Sequence, residues 1–161
     1  MNADTPPRRK LDDFDRAILR IIQRDNKTPQ RTIAEAVNLS AAAVQRRIAA
    51  MEESGIVAGN VSLVDPAAVA MTITAIVEVH LKNERAATVD AAKALFRDSP
   101  DVQQCFYVTG GISMVLIIVV PDMPAYEALT RRLFEESGLV ERYRTLIALD
   151  RVKTGTAIQI P

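Results

Sequence analysis

The run from Ser40 to Glu53 carries the side-chain types with which proteins read double-stranded DNA. On a helical wheel at about 100° per residue, Val44, Ile48 and Met51 form an apolar stripe. The opposite side holds Ala42, Gln45, Arg46 and Ala49. Small residues let a helix sit deep in the major groove, an amide pairs with adenine, and a guanidinium pairs with guanine or phosphate. The pattern predicts a recognition helix.

Further residues around this helix can contact the phosphate backbone. Ser40 is predicted to cap the start of this helix, where main-chain amides and the helix dipole favour an anion. The charges of Lys27 and Arg31 either reach phosphates or stay solvated. Arg47, at the edge of the apolar stripe, is expected to reach a phosphate or to pair with a carboxylate. The predicted DNA-binding residues are Lys27, Arg31, Ser40, Ala42, Gln45, Arg46 and Arg47.

An ordinary surface helix rich in alanine would show the same pattern, since alanine is a strong helix former. The residues before it favour the DNA-binding interpretation. Asp12 with Asp15 predicts one helix start, and Thr28 followed by Pro29 predicts another. The first helix places Phe14, Ile18, Ile21 and Ile22 on one face. Three short helices with a tight turn at 38–40 are typical of a helix-turn-helix.

The second half of the chain has a different periodicity. Strands are predicted at 73–81, 102–108, 113–120 and 143–152, and helices at 86–97 and 124–136. The order β-α-β-β-α-β is that of a ferredoxin-like domain. We therefore predict the α+β class, with an N-terminal winged helix-turn-helix and a C-terminal ferredoxin-like βαββαβ domain.

The segment from Met114 to Val120 suggests self-association, because it is apolar on both faces. Two helices cover only one face of a four-stranded sheet. If the second face were exposed to solvent, polar and apolar residues would alternate along the strand. Either another subunit buries this second face, or the segment is a central strand with an apolar rim.

Composition excludes several other classes of protein. The chain of 161 residues carries 20 basic and 20 acidic side chains, and its first sixty residues hold ten basic against eight acidic. One cysteine, Cys105, and an N-terminus without an apolar leader predict a cytoplasmic protein. With His80 as the single histidine and no nucleophile–base pair or P-loop, we predict neither a metal, nor a cofactor, nor an enzyme.

Seven different short motifs follow one another along nearly the whole chain. They are L-D-x-x-D-x-x-I-L from Leu11, I-A-E-A-V-N-L-S over 33–40, V-x-x-R-I from Val44, E-x-x-G-I-V over 52–57, C-F-x-V-T-G over 105–110, D-M-x-x-Y over 122–126 and V-K at 152–153. Each is weak alone, but their order and spacing resemble those of Lrp/AsnC-type transcriptional regulators, also called the feast/famine family.

This resemblance implies a sequence-specific DNA-binding regulator of amino-acid or nitrogen metabolism. Such proteins form homodimers through the C-terminal domain, often assemble into tetramers or octamers, and bind a small effector, usually an amino acid, between dimers. The residues implied for the effector are Thr109, Gly110, Gly111, Ser113, Tyr143 and Thr145. The alternative is an architectural protein that wraps DNA with little response to an effector.

The implied effector loop departs from the family pattern. The family commonly has Gly-Asp-x-Asp there, whereas this chain has Gly-Gly-Ile-Ser at 110–113. A ligand ammonium group would lose a charge-assisted partner. Of the usual Thr/Ser pair on the last strand, represented here by Tyr143 and Thr145, only one matches. Ala50 replaces a frequently basic residue of the recognition helix. The effector is therefore expected to be atypical, weakly bound or absent.

The predicted domain boundaries follow from these elements. They are a flexible basic arm over 1–10, a helix-turn-helix domain over 11–58, an extended linker over 59–72, and an effector-binding and oligomerisation domain over 73–161.

Overall fold

The computed structural model describes residues 9–161, so most of the predicted basic arm lies outside the described residues. The chain divides into two compact units. One ends at Leu63 and also includes Thr154–Pro161, and the other is Val64–Lys153. The predicted second domain runs to residue 161, but the C-terminal tail groups with the first unit instead.

Three helices form the first unit: α1 (Asp13–Ile22), α2 (Gln30–Val37) and α3 (Ala41–Glu53). The predicted start of α1 is confirmed as a capping box, in which the Asp12 carboxylate accepts the Asp15 N–H at 2.8 Å. The predicted cap at Thr28 is wrong. Helix α2 follows Pro29 without a side-chain cap, and the Thr28 hydroxyl donates to the Asp25 carbonyl at 2.8 Å.

The turn between α2 and α3 depends on Asn38, which has a φ of 54°. This left-handed conformation strains most side chains, but asparagine tolerates it. The reversal lets the Leu39 N–H donate to the Ala34 carbonyl at 3.0 Å. Ser40 then caps α3, as predicted, by accepting the Ala43 N–H at 3.1 Å.

The three helices share one apolar core. Its buried members are Ile18, Leu19, Ile33, Ala34, Val37, Val44 and Met51. Phe14, expected on the inner face of α1, is 43% exposed. The C-terminal tail adds Ile160 to this core, and the Gln23 amide accepts the Ile158 N–H at 3.0 Å and donates to its carbonyl at 2.7 Å.

The second unit has the predicted order β-α-β-β-α-β. Its elements are β1 (Ile73–Leu81), α4 (Ala86–Arg97), β2 (Val102–Tyr107), β3 (Met114–Val120), α5 (Met123–Thr130) with a π-helical end (Arg131–Glu135), and β4 (Val140–Ile147). The four strands form one antiparallel sheet in the order β2-β3-β1-β4. Strand β4 starts three residues before the predicted Tyr143 and ends at Ile147, where its pairing with Ala75 near the start of β1 ends.

Helices α4 and α5 cover one face of this sheet, over a core that includes Val77, Leu116 and Phe96. The opposite face, which we call the open face, carries an apolar patch beside the ion pair of Glu78 with Arg144. Ile76 pairs with Ile117 and with Leu146 across the strands, and Phe106 pairs with Val115. Phe106 is 51% and Leu146 42% exposed.

No helix within residues 9–161 is long and apolar enough to cross a membrane.

Candidate DNA-binding and effector sites

The structure separates the two sides of α3 as the wheel predicts. Val44 and Met51 are fully buried, and Ile48 is half-buried. The four residues of the opposite side, Ala42, Gln45, Arg46 and Ala49, are all exposed. We call these four the outward face. Among residues 9–161, no ion pair within 4 Å involves Arg46, so its guanidinium is available to a ligand.

The three predicted phosphate contacts outside this face, Ser40, Arg31 and Lys27, are all exposed. Ser40 is exposed, and because its oxygen accepts the capping bond, its hydroxyl proton can still be donated to a phosphate. Arg31 pairs with Glu35 at 3.2 Å, but both side chains are largely exposed. Such surface pairs contribute little and exchange readily for a phosphate. Lys27 is exposed just before α2.

Arg47 has a different environment from its predicted DNA-binding neighbours. Its Nη1 donates to the carboxylates of Asp12 and Asp15, at 2.8 Å in each case, and its guanidinium lies 5.5 Å from the centre of the Phe14 ring. The hydrogen bond to Asp12, followed by that to Asp15, raises the pKa of Arg47. Arg47 therefore ties α3 to the start of α1, and of its two expected partners the structure shows the carboxylate.

The loop after β2 combines left-handed glycines with a buried serine. Gly110 has a φ of 113° and Gly111 of 92°, values that glycine adopts without a steric penalty. Ser113 is 5% exposed, and its oxygen accepts the Leu81 N–H at 3.0 Å. Its hydroxyl donates to Oε1 of Glu84, whose Oε2 accepts the Tyr107 hydroxyl at 3.0 Å.

Glu84 is the residue that sequence reasoning missed. It follows β1 and belongs to none of the family motifs, so no sequence signal connects it with the loop at 110–113. Only antiparallel pairing of β1 with β3, from Ile73–Val120 to Val79–Met114, brings the ends of those segments together.

A pocket of about 400 Å³ opens beside this loop. It is lined by His80, Leu81, Glu84, Tyr107, Val108, Gly111, Ile112, Ser113 and Glu141. Of the predicted effector residues it contains Gly111 and Ser113, whereas Thr109 and Gly110 are exposed in the adjoining loop. We call this space the loop pocket.

The two predicted effector residues on β4 do not line the loop pocket. The Tyr143 ring packs 4.6 Å from that of Phe134, and the Thr145 hydroxyl is hydrogen-bonded to the hydroxyl of Tyr126. Burial raises the pKa of Tyr126, so this phenol stays neutral. Within one chain, Tyr143 and Thr145 therefore lie apart from the loop pocket, although Glu141 of the same strand lines it.

A second groove, of about 390 Å³, runs between α4 and the edge strand β2. Lys93, Arg97 and Cys105 are among its lining residues. Cys105 is half-buried, and burial raises the pKa of its thiol. Within residues 9–161, no three histidine, cysteine or acidic side chains are grouped to hold a metal ion.

Family models match both units. Residues 11–58 match a winged helix-turn-helix DNA-binding domain, and residues 74–158 match the Lrp/AsnC ligand binding domain. An HTH-type transcriptional regulator of Sinorhizobium fredii, y4tD, is 38% identical over 94% of this chain and 89% of its own length.

Solved structures agree with these matches. An AsnC family transcriptional regulator from Agrobacterium tumefaciens superposes with a TM-score of 0.86 at 28% identity, covering 92% of this chain and 97% of that one. A transcriptional regulator from Neisseria meningitidis, solved as a complex with L-Met, has a TM-score of 0.86 at 25% identity, with coverage of 93% and 97%.

Proposed function

Because the chain belongs to the Lrp/AsnC family of transcriptional regulators, we propose that it recognises a specific DNA sequence through the outward face of α3 and controls genes of amino-acid or nitrogen metabolism. The observation that carries this proposal is the exposure of all four outward-face residues on a helix whose other side is buried.

Each contact residue has a distinct role in this proposal. Gln45 and Arg46 contact base edges, and the small side chains of Ala42 and Ala49 allow close approach to the groove floor. Ser40, with Lys27 and Arg31, contacts phosphates and fixes the orientation of the helix. Arg47 acts as a positioning residue, because its charge is compensated by Asp12 and Asp15 within the chain.

The proposed regulator works as a homodimer that assembles further into tetramers or octamers. The open face of the sheet supports this. Phe106 and Leu146 are exposed on its two edge strands, and Val115 and Ile117 are half-buried between them. Two helix-turn-helix units would then contact successive major grooves about one helical turn apart. Residues of the loop and of β4 would meet across an interface between dimers, where the small effector binds.

The test of the DNA site is Arg46→Ala, with Arg24→Ala as control because Arg24 is an exposed arginine of the same unit outside α3. A footprint on the gene's own upstream region supplies the target, and fluorescence anisotropy measures binding at several salt concentrations. Losing a bidentate base contact weakens binding by about 1–3 kcal/mol, so Arg46→Ala is expected to bind at least about fivefold more weakly, while Arg24→Ala binds like the wild type. Unchanged binding of Arg46→Ala contradicts the assignment.

The same assay distinguishes the architectural alternative. A sequence-specific regulator binds its site roughly 10³-fold or more tightly than unrelated DNA at the same salt concentration. A ratio near one, measured on the footprinted fragment against a scrambled one, would favour DNA wrapping over regulation at a defined site.

A further inference from the structure

We propose that Glu84 supplies the carboxylate that the effector loop lacks, and that the loop pocket therefore selects small ligands carrying an ammonium group and a net positive charge. This inference rests on the proposed function, because it names the ligand class of the proposed effector site. It concerns a residue outside the motifs through which the chain resembles its family.

The first step is the orientation of Glu84. Both of its carboxylate oxygens are held, one by the Ser113 hydroxyl and the other by the Tyr107 hydroxyl at 3.0 Å. Each oxygen of a carboxylate has two acceptor positions, so one position on each oxygen remains for a ligand N–H. The negative charge is thus held at the solvent-exposed rim of the pocket, and each oxygen can still accept a hydrogen bond.

The second step is that the carboxylate comes from the segment after β1, whereas the family pattern has it in the loop after β2. Ser113 stands at the second acidic position of the family's Gly-Asp-x-Asp loop, where it is neutral. Its hydroxyl, however, donates to Glu84, which comes from the segment after β1. The carboxylate is therefore moved to another segment rather than lost, and a ligand ammonium again has a charged partner.

The third step is the charge of the whole lining. The loop pocket has two carboxylates, Glu84 and Glu141, and one imidazole, His80, and no lysine or arginine is among its described lining residues. Lys93 lies 4.7 Å from the centre of the Tyr107 ring, but it lines the other groove. Because unlike charges attract, a cationic ligand gains here, and a dicarboxylic amino acid meets two like charges.

Tyr107 is the second hydroxyl donor to Glu84. The hydrogen bond to Glu84, together with its negative charge, raises the pKa of the Tyr107 phenol. The phenol therefore stays protonated at neutral pH and donates to the carboxylate, which keeps Glu84 aimed along the pocket wall.

The test is isothermal titration calorimetry of the full-length protein with cadaverine, L-lysine, L-arginine, L-methionine and L-glutamate. We expect the three cationic ligands to bind about tenfold or more tightly than L-methionine, as one charge-assisted hydrogen bond would give, and L-glutamate to bind most weakly. Glu84→Gln should lose this preference. Glu84→Asp, which keeps the charge, should retain part of it, and Glu135→Gln, an exposed glutamate at the end of the π-helical turn, should retain all of it.

Several outcomes would overturn the inference. One is equal binding of L-lysine by the wild type and a folded Glu84→Gln variant. Another is no binding of any cationic ligand at millimolar concentrations, or an order in which L-glutamate or L-methionine binds best. The ligand order is measured on the wild type, so it stays decisive if a variant misfolds. Specific DNA binding without amine binding overturns this inference alone, whereas absence of specific DNA binding overturns the proposed function.

Discussion

At the residue scale, the most consequential arrangement is the charge cluster between α1 and α3. Asp15 is fully buried and accepts hydrogen bonds from Arg9 at 2.9 and 3.1 Å and from Arg47 at 2.8 Å. Removing one partner of a buried ion pair is far more costly than the net contribution of the pair, because it leaves an uncompensated charge. The cluster fixes where α3 lies, and with it the direction of the outward face.

Asp12 makes this cluster sensitive to acid. The Asp15 N–H and then the Arg47 guanidinium hold the pKa of Asp12 below its usual value. A pKa lowered by folding stabilises the protein at pH values above the unfolded pKa, and this stabilisation is lost as the pH falls through the folded pKa. We therefore expect Asp12→Asn to reduce the fall of the thermal midpoint between about pH 5 and pH 2.

Thermal unfolding followed by circular dichroism across this pH range is the measurement. Asp13→Asn is the matched control, since Asp13 is an exposed aspartate in the same first turn of α1. If the thermal midpoints of Asp12→Asn and of the wild type fall by the same amount between about pH 5 and pH 2, then Asp12 contributes nothing to acid sensitivity.

At the element scale, the entry into α3 decides how firmly the recognition helix is held. Asn38 reverses the chain in a left-handed conformation, and Ser40 satisfies a main-chain donor of the first turn. The caps predicted for α2 and α3, at Thr28 and Ser40, differ in the structure. Only the Ser40 oxygen accepts a main-chain N–H of the helix it precedes.

This difference yields a comparison of two similar substitutions. Ser40→Ala should lower the free energy of unfolding by about 1 kcal/mol, the usual cost of a lost N-cap, whereas Ser40→Gly should cost only a few tenths. Thr28→Ala should cost less than Ser40→Ala, because no main-chain donor of α2 depends on it. Urea unfolding measures all three, and an equal cost at Thr28 and Ser40 would contradict the capping geometry described above.

At the scale of the whole molecule, the open face of the sheet determines whether the chain works alone. Val115 and Ile117 lie at the centre of this face, and Phe106 and Leu146 lie on the flanking strands. Phe106 and Leu146 are exposed, and Val115 and Ile117 are half-buried in a single chain. An exposed apolar patch marks an interaction site. A second copy of the chain, seated face to face, would bury it.

We therefore expect Ile117→Lys to dissociate the homodimer, because a buried ammonium without a partner is strongly unfavourable. Leu149→Lys is the control, since Leu149 is fully exposed after the end of β4. Sedimentation equilibrium gives the mass of each variant. A dimeric Ile117→Lys variant with an unchanged association constant would place the interface elsewhere.

Local features of the sequence were enough to predict much of this fold. The capping box at Asp12, the cap at Ser40 and the two sides of α3 follow from residues within a few positions of one another, and alternation alone locates β1. Helical and strand periodicities are short-range signals, so they can be recognised without knowing which residues the element contacts in the folded chain. The element order of the second unit followed in the same way, with α4 at the predicted bounds.

Contacts distant in sequence decided the rest. Arg47 is paired with a carboxylate 35 positions away. Strand β4 ends at Ile147 because its pairing with β1 ends there, opposite Ala75. The tail joins the first unit because Gln23, some 135 positions earlier, holds the main chain of Ile158. Glu84 meets Ser113 only because β1 and β3 pair antiparallel. Sequence by itself determined which elements form and which side of α3 faces outward. Only the tertiary structure decided which charges meet, because hydrogen bonds and ion pairs depend on distances in space that periodicity does not specify.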